Sequence, residues 1–210
     1  MTNKIIFSTQ YFAGIEFYLI SNIYSSVYIE YNEHYQKRSK RNRTELLGPN
    51  GPLFLSVPLS KGKNEQSPIH QVRINYNTNW ITQHLETIAS CYGNAPYYIY
   101  YIDEIKEILN QRHTYLWELN SVIDKFIRTS IAIEKIPTLT KDYIKECHLD
   151  FRNTKSTTYK IMQEKVFDNM NYNQVFEAKY GFVPYLSILD LLFCVGPESI
   201  YHLHTTKIEL

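Results

Sequence analysis

The sequence predicts an α/β fold, with an open, partly parallel sheet in the N-terminal third and a mostly helical C-terminal half. Three observations lead there. An apolar run at Lys4–Phe7, a helical repeat, and a β-branched and aromatic run at Val27–Tyr31 follow one another in β-α-β order. That order calls for a parallel pair joined by a right-handed crossover. Leu53, Leu55, Val57 and Leu59 then alternate along the chain, the period-2 signature of a strand with one face inward. From Trp80 onward, apolar residues recur mostly at helical spacing.

The elements follow in order. The first strand breaks at Ser8–Gln10. Phe12, Ile15, Leu19 and Ile23 mark a helix over Tyr11–Ile23, and Ser25-Ser26 interrupts it before the second strand. A basic segment over residues 35–45 reads as a loop, and Gly48-Pro49-Asn50-Gly51-Pro52 as a turn. The strand Leu53–Leu59, a polar loop Ser60–Ser67 and a further strand Val72–Tyr76 come next. Trp80, His84, Ile88 and Cys91 share one face of a helix that Ala95-Pro96 ends. Ile99–Leu109 and Tyr115–Thr129 read as two more helices, with Ile136-Pro137 closing the last. Asp150–Thr158 reads as a loop and Lys160–Asp168 as a short helix. Gly181–Pro184 leads into a final helix, Leu186–Cys194, stopped by Gly196-Pro197. With no internal repeat and no low-complexity linker, the 210 residues are expected to form one domain, 1–210.

Composition narrows the classes of function. The net charge of +1 argues against a nucleic-acid footprint, so no nucleic-acid partner is expected. The charge is nevertheless uneven. Lys37, Arg38, Lys40, Arg41 and Arg43 put five cations within seven residues, leaving 17 basic against 21 acidic residues elsewhere. One basic patch on a mildly acidic body points to an anionic ligand. Cys91, Cys147 and Cys194 are odd in number and far apart, so neither a zinc site nor a disulfide framework is expected. No metal and no cofactor is expected, and the thiols read as cytoplasmic and reduced. Met1–Gln10 lacks the apolar core of a signal peptide, and the most apolar stretch, Tyr185–Val195, is too short to span a bilayer. No stable membrane insertion is expected. Nineteen Tyr and ten Phe suit a core rich in aromatics or the wall of a polar pocket.

Three segments together resemble the WbqC-like family of bacterial proteins. The first holds Tyr11-Phe12, Tyr18, Ile29-Glu30, Tyr35-Gln36-Lys37, Arg41-Asn42-Arg43, Gly48-Pro49-Asn50-Gly51 and Leu55-Ser56-Val57-Pro58. The second holds Trp80, His84, Tyr92 and Ala95-Pro96-Tyr97-Tyr98. The third holds Tyr172-Asn173-Gln174-Val175-Phe176, the run from Gly181 to Phe193, and Gly196-Pro197. Ala13-Gly14 stand where that family has prolines, and Cys194 stands where it often has Asn. The resemblance implies an origin among genes for surface polysaccharides such as O-antigen and exopolysaccharide. It also implies acyl or aminoacyl transfer to an amino sugar, with a nucleotide-linked sugar as substrate.

Individual residues carry the chemistry. Guanidinium groups grip phosphate bidentately and Lys adds a point charge. Lys37, Arg41, Asn42 and Arg43 follow a strand, where α/β sheets place ligands. They are the candidate phosphate site, against the alternative of a solvated basic surface or contacts to cellular polyanions. Glu30 ends the second strand and is either a general base or an ion-pair partner of those cations. His84 is either a second base or a hydrogen-bonded structural histidine. Tyr11, and Tyr97 among Tyr97-Tyr98 and Tyr100-Tyr101, are candidates to contact the sugar, with a half-buried helix face the other reading of the second group. Ser187-Ile188-Leu189-Asp190 has the S-x-x-D form of a capping box, in which Asp190 bonds back to the helix start; a catalytic Asp190 is the alternative. A catalytic assembly requires Glu30, Arg41 and His84 to converge on one concave pocket. Scattered positions favour a non-catalytic partner- or anion-binding protein. Oligomeric state is not legible.

Overall fold

The computed structural model describes residues 4–60, 67–167 and 170–205. Its centre is a four-stranded sheet of order β5-β2-β1-β6, every pair parallel. These strands are β1 (Ile5–Phe7), β2 (Val27–Ile29), β5 (Thr138–Leu139) and β6 (Leu149–Asp150). Ile5, Ile6 and Phe7 are wholly buried, as expected of a central parallel strand covered on both faces, which reads as a continuous apolar run. A separate antiparallel hairpin, β3 (Arg43–Gly48) and β4 (Gly51–Ser56), turns through Pro49-Asn50 with Gly51 at φ 105°, a region closed to most residues.

The α/β class and the helical C-terminal half stand, with differences of detail, among them a further helix over Ser199–Thr205 after the one expected to be the last. The parallel sheet is not confined to the N-terminal third, because β5 and β6 come from beyond residue 137. Each is two residues long, too short to carry a periodicity. Asp150 therefore ends a strand where a loop was expected. Val72–Tyr76 forms only isolated bridges, Leu59 to Ile74 and Arg73 to Tyr115. Tyr11–Gly14 precede the first helix instead of opening it, and Phe12 has φ 40°. The basic segment is irregular only up to Asn42, with Arg43 opening β3. Most of the loop expected at Ser60–Ser67, and Asp168 at the end of the expected helix from Lys160, lie outside the described residues.

The helices are α1 (Ile15–Ile23), α2 (Trp80–Tyr92), α3 (Tyr98–Asn110), α4 (Leu116–Ser130), α5 (Thr157–Phe167), α6 (Glu177–Tyr180), α7 (Ile188–Val195) and α8 (Ser199–Thr205). α4 is amphipathic, burying Leu116, Leu119, Ile123, Phe126 and Ile127 at helical spacing. α7 buries every residue from Ile188 to Phe193 and contacts α1, α2, α3, α8 and β3. A helix buried on every side belongs in the core, and α7, with Asp190 its one acidic residue, joins α1 and the hairpin to the helical half. Leu191→Ala should therefore cost about 2–5 kcal/mol of stability, the range for a buried Leu truncated to Ala. Ile99→Ala, on the exposed face of α3, should stay within about 0.5 kcal/mol of the parent. Urea denaturation of the two variants measures both.

Candidate functional site

The loop that leaves β1 and enters α1 is buried from Ser8 to Ala13. Loops usually run over the surface because their backbone needs partners, so this one draws its partners from across the fold. The Tyr11 amide donates to the Lys40 carbonyl at 3.0 Å and the Ile188 amide to the Ala13 carbonyl at 2.9 Å. Thr44 Oγ1 and Ser187 Oγ both donate to the Phe12 carbonyl, at 2.8 and 2.9 Å. Gly14 then caps α1 without any side-chain bond. A Cβ at Gly14 would stand 2.3 Å from the Glu16 carboxylate, so this position admits only glycine without displacement. Buried Glu16 is held by Tyr159, whose hydroxyl donates at 2.5 Å, and by an ion pair with Lys40.

Outside this loop lies a cavity of about 220 Å³ whose wall includes Gln10, Arg38, Lys40, Arg43, Glu45 and Tyr185. Three cations thus meet beside the head of α1, where Lys40 pairs with Glu16 and the Ile15 amide donates to the Leu186 carbonyl at 3.4 Å. The Arg43 guanidinium stacks 4.5 Å over the Phe54 ring and its Nε has no hydrogen-bond partner. Burial raises the Glu45 carboxyl above the usual range, with Lys40 and Arg43 pulling the other way. Phe12, Arg38 and Tyr185 all line this cavity and all have positive φ, at 40°, 54° and 70°. Only Arg112 and Ala132 share that feature among the other described non-glycine residues. Such backbone strain gathers at ligand sites.

Gln10 also borders a second cavity, of about 420 Å³, between α4 and the carboxyl ends of β2 and β5. Gln10 is 6% exposed, and neither end of its carboxamide has a partner.

The residues singled out in the sequence fall in several places. Tyr11, Arg43 and Ser187 line the 220 Å³ cavity. Lys37 lines a wider, shallower one with Arg152 and Asp150. Arg41 is in the core, where Nε donates to Glu33 Oε1 at 2.8 Å and Nη2 completes a two-pronged ion pair. Burial pushes the Glu33 carboxyl up and Arg41 opposes it. Asn42 ties Tyr35 to the Val57 carbonyl. Glu30 is wholly buried and accepts from Thr140 Oγ1 at 2.6 Å, from the Asn32 and Ile144 amides, both at 2.9 Å, and from Arg152 at 3.4 Å. Tyr97 precedes α3, and its ring fills the space a Cβ on Gly196 would need. Ser187 is the N-cap of α7 and accepts from the Leu189 amide.

Asp190 does not bond back to Ser187. Its Oδ2 accepts from Tyr172 at 2.6 Å and Gln174 at 2.8 Å, while the Ser187 amide donates to the Glu45 carbonyl. Burial raises Asp190 to about 6. Glu30, Arg41 and His84 do not converge, for none of them lines any of the four described cavities. Gln10, Arg38, Lys40 and Tyr185 carried no signal that separated them from their neighbours.

His84 sits behind the loop on α2. Its Nδ1 faces the Tyr11 hydroxyl at 2.9 Å. Burial drives Tyr11 well above its ordinary value, so the phenol keeps its proton and donates. The other ring nitrogen then carries the imidazole proton, toward the Ser56 backbone. Burial also lowers His84 to about 4. Desolvation raises all three thiols, Cys91 to about 11, which keeps them protonated. Among the described residues no cluster could hold a metal ion, and no helix is long and apolar enough to cross a membrane.

The sequence pattern of the WbqC-like protein family matches residues 10–164 and 137–202. The chain belongs to the WbqC-like protein family. All residues lining the 220 Å³ cavity of this WbqC-like protein fall within the matched span. It is 27% identical over 194 residues to the uncharacterized protein Rv1507c of Mycobacterium tuberculosis (strain ATCC 25618 / H37Rv), covering 79% of this chain and 81% of that protein. No solved structure matches at a significant level.

His84 makes stability depend on pH. Its folded value of about 4 lies below the ordinary 6.5. Between those values the unfolded chain binds more protons, so stability falls as pH drops from 6.5 toward 4. The full effect is at most about 3 kcal/mol. Asp190, raised to about 6, acts in the opposite sense over the same range, so the test is a difference. Parent minus His84→Gln, by chemical denaturation at pH 7 and 4.5, should shrink by about 1–3 kcal/mol at the lower pH.

Proposed function

We propose that this WbqC-like protein is a transferase of cell-surface polysaccharide synthesis. It passes an acyl or aminoacyl group to the amine of a nucleotide-linked amino sugar, whose phosphate sits at the head of α1. The observation that carries this reading is the meeting of Arg38 and Arg43 in one cavity, beside the Lys40–Glu16 ion pair at the head of α1. Two guanidinium groups are complementary to a phosphoryl group. Glu45, in the same wall, has the raised basicity that suits taking a proton from an ammonium acceptor. The freed amine attacks the donor carbonyl, the new N–C bond forms, and the donor's leaving group departs. Glu30 and His84, first in line as bases on sequence grounds, stand outside this wall.

That separation favours a second reading, a non-catalytic anion-binding protein using the same cavity. Nucleotide sugars extracted from a deletion strain and surveyed by mass spectrometry separate the two. An accumulated, unmodified amino sugar supports transfer, and an unchanged pool supports binding alone.

Both readings require the phosphate site. Calorimetric titration with pyrophosphate should show Arg43→Ala binding about 10-fold or more weakly, the worth of a charged hydrogen bond. Arg41→Ala should instead lose about 3–5 kcal/mol of stability, from a buried carboxylate stripped of its partner. Its folded fraction should bind pyrophosphate like the parent. Equal affinity in parent and Arg43→Ala removes the phosphate site.

A further inference from the structure

The cavity of about 420 Å³ is bounded by the loop after β1, by the last residues of β2 and β5, and by one face of α4. It lies outside the carboxyl ends of parallel strands, where open α/β sheets receive ligands. Its wall is mostly apolar, including Phe17, Ile29, Trp117 and Ile133. Ile136 and Leu139, also in the wall, remain 74% and 42% exposed, apolar surface that an occupant would cover.

Two carboxamides interrupt that apolar wall. Gln10 has no partner at either end. Asn120, 2% exposed, donates through Nδ2 to Thr9 Oγ1 at 3.1 Å and to the Arg41 carbonyl at 2.9 Å. A carbonyl only accepts, so this second bond fixes the orientation of the amide, and its Oδ1 has no partner. Buried polar groups of this kind carry a standing cost unless something pairs with them. Of the charges of the wall, Lys125 is exposed at the rim and the other two pair with each other. Asp124 pairs with Arg128 at 2.8 Å, and Arg128 also donates to the Lys135 carbonyl and to Ser21.

These features select the occupant. A phosphate finds no unpaired guanidinium here, only the exposed Lys125 ammonium at the rim. An acyl chain would fit the apolar wall but leave both carboxamides unmet. A flat heteroaromatic ring with adjacent donor and acceptor atoms satisfies both demands, since the Gln10 amide can pair bidentately with a base edge, Asn120 Oδ1 can accept one further bond, and aromatic walls accept the ring face. Gln10 and Ala13 line both cavities, which are therefore neighbours across this loop.

We propose that the α4 cavity binds the nucleoside of the nucleotide-linked substrate, its base read by Gln10 and Asn120 and its phosphates continuing past Gln10 to the head of α1. The direction of the ligand rests on the phosphate reading above; the base site does not.

The test uses the full chain with adenosine, guanosine, cytidine and uridine as phosphate-free probes, and pyrophosphate as a base-free one. Saturation-transfer NMR followed by calorimetry should find at least one nucleoside bound. Ser121→Trp, at an exposed position of the same wall, should weaken it about 10-fold or more and leave pyrophosphate affinity unchanged. Gln10→Leu should lose nucleoside affinity yet melt at or above the parent temperature, because an unpaired buried amide has gone. Pyrophosphate binding with no nucleoside bound overturns this inference and leaves the phosphate site standing. Nucleoside binding indifferent to both substitutions overturns it as well. Nucleoside binding that responds to them, with no pyrophosphate bound, supports the base site and removes the phosphate site.

Discussion

Burying the backbone between β1 and α1 is the constraint on which the other arrangements depend. A strand end, a left-handed Phe12 and a glycine cap occupy the interior, where an unpaired carbonyl or amide is costly. Each partner comes from a different part of the chain: Lys40 from the basic segment, Thr44 from β3, and Leu186, Ser187 and Ile188 from the start of α7. One set of hydrogen bonds thus locks the hairpin and the core helix against the sheet. The two cavities are the spaces on either side of this loop. The bonds that hold the loop also hold the wall the cavities share, and a site of fixed geometry needs such support.

Burial also divides the basic segment. Arg41 and Arg43 are two residues apart. Arg41 is spent inside on Glu33, while Arg43 lies over Phe54 at a cavity wall. Lys40 takes an intermediate course, with its ammonium on Glu16 and its stem at the cavity. A cluster that looks like a single anion site in the sequence therefore supplies two ion pairs, Arg41–Glu33 and Lys40–Glu16, and cations in the walls of two different cavities.

That division explains what could be read from the sequence. β1, β2 and the long helices announced themselves because a burial pattern repeats along each, as with Leu116, Leu119 and Ile123 in α4. β5 and β6 could not, since two residues hold no repeat. Phe12 falls on the apolar spacing of α1 but is buried by the loop, so the period placed the helix start too early. Arg41 and Arg43 were indistinguishable because irregular backbone has no period that assigns inside and outside. Gln10 gave no signal at all, for its significance lies in what it fails to bond. Asp190 matched a local capping pattern, yet Tyr172 and Gln174, distant in the helix frame, hold its carboxylate.

The sheet order has a consequence for how the chain assembles. β1 pairs on one side with β2, about one helix away in sequence, and on the other with β6, where Ile5 meets Leu149. The first pairing is available early in synthesis, and the second waits until most of the chain has been made. Contacts of such separation slow folding, because a long loop must close before they contribute. Until β6 arrives, Ile5–Phe7 presents an apolar strand with an open edge, the geometry that recruits other chains. A nascent or truncated chain ending before Leu149 is thus the form most exposed to aggregation, and two residues of β6 close that edge.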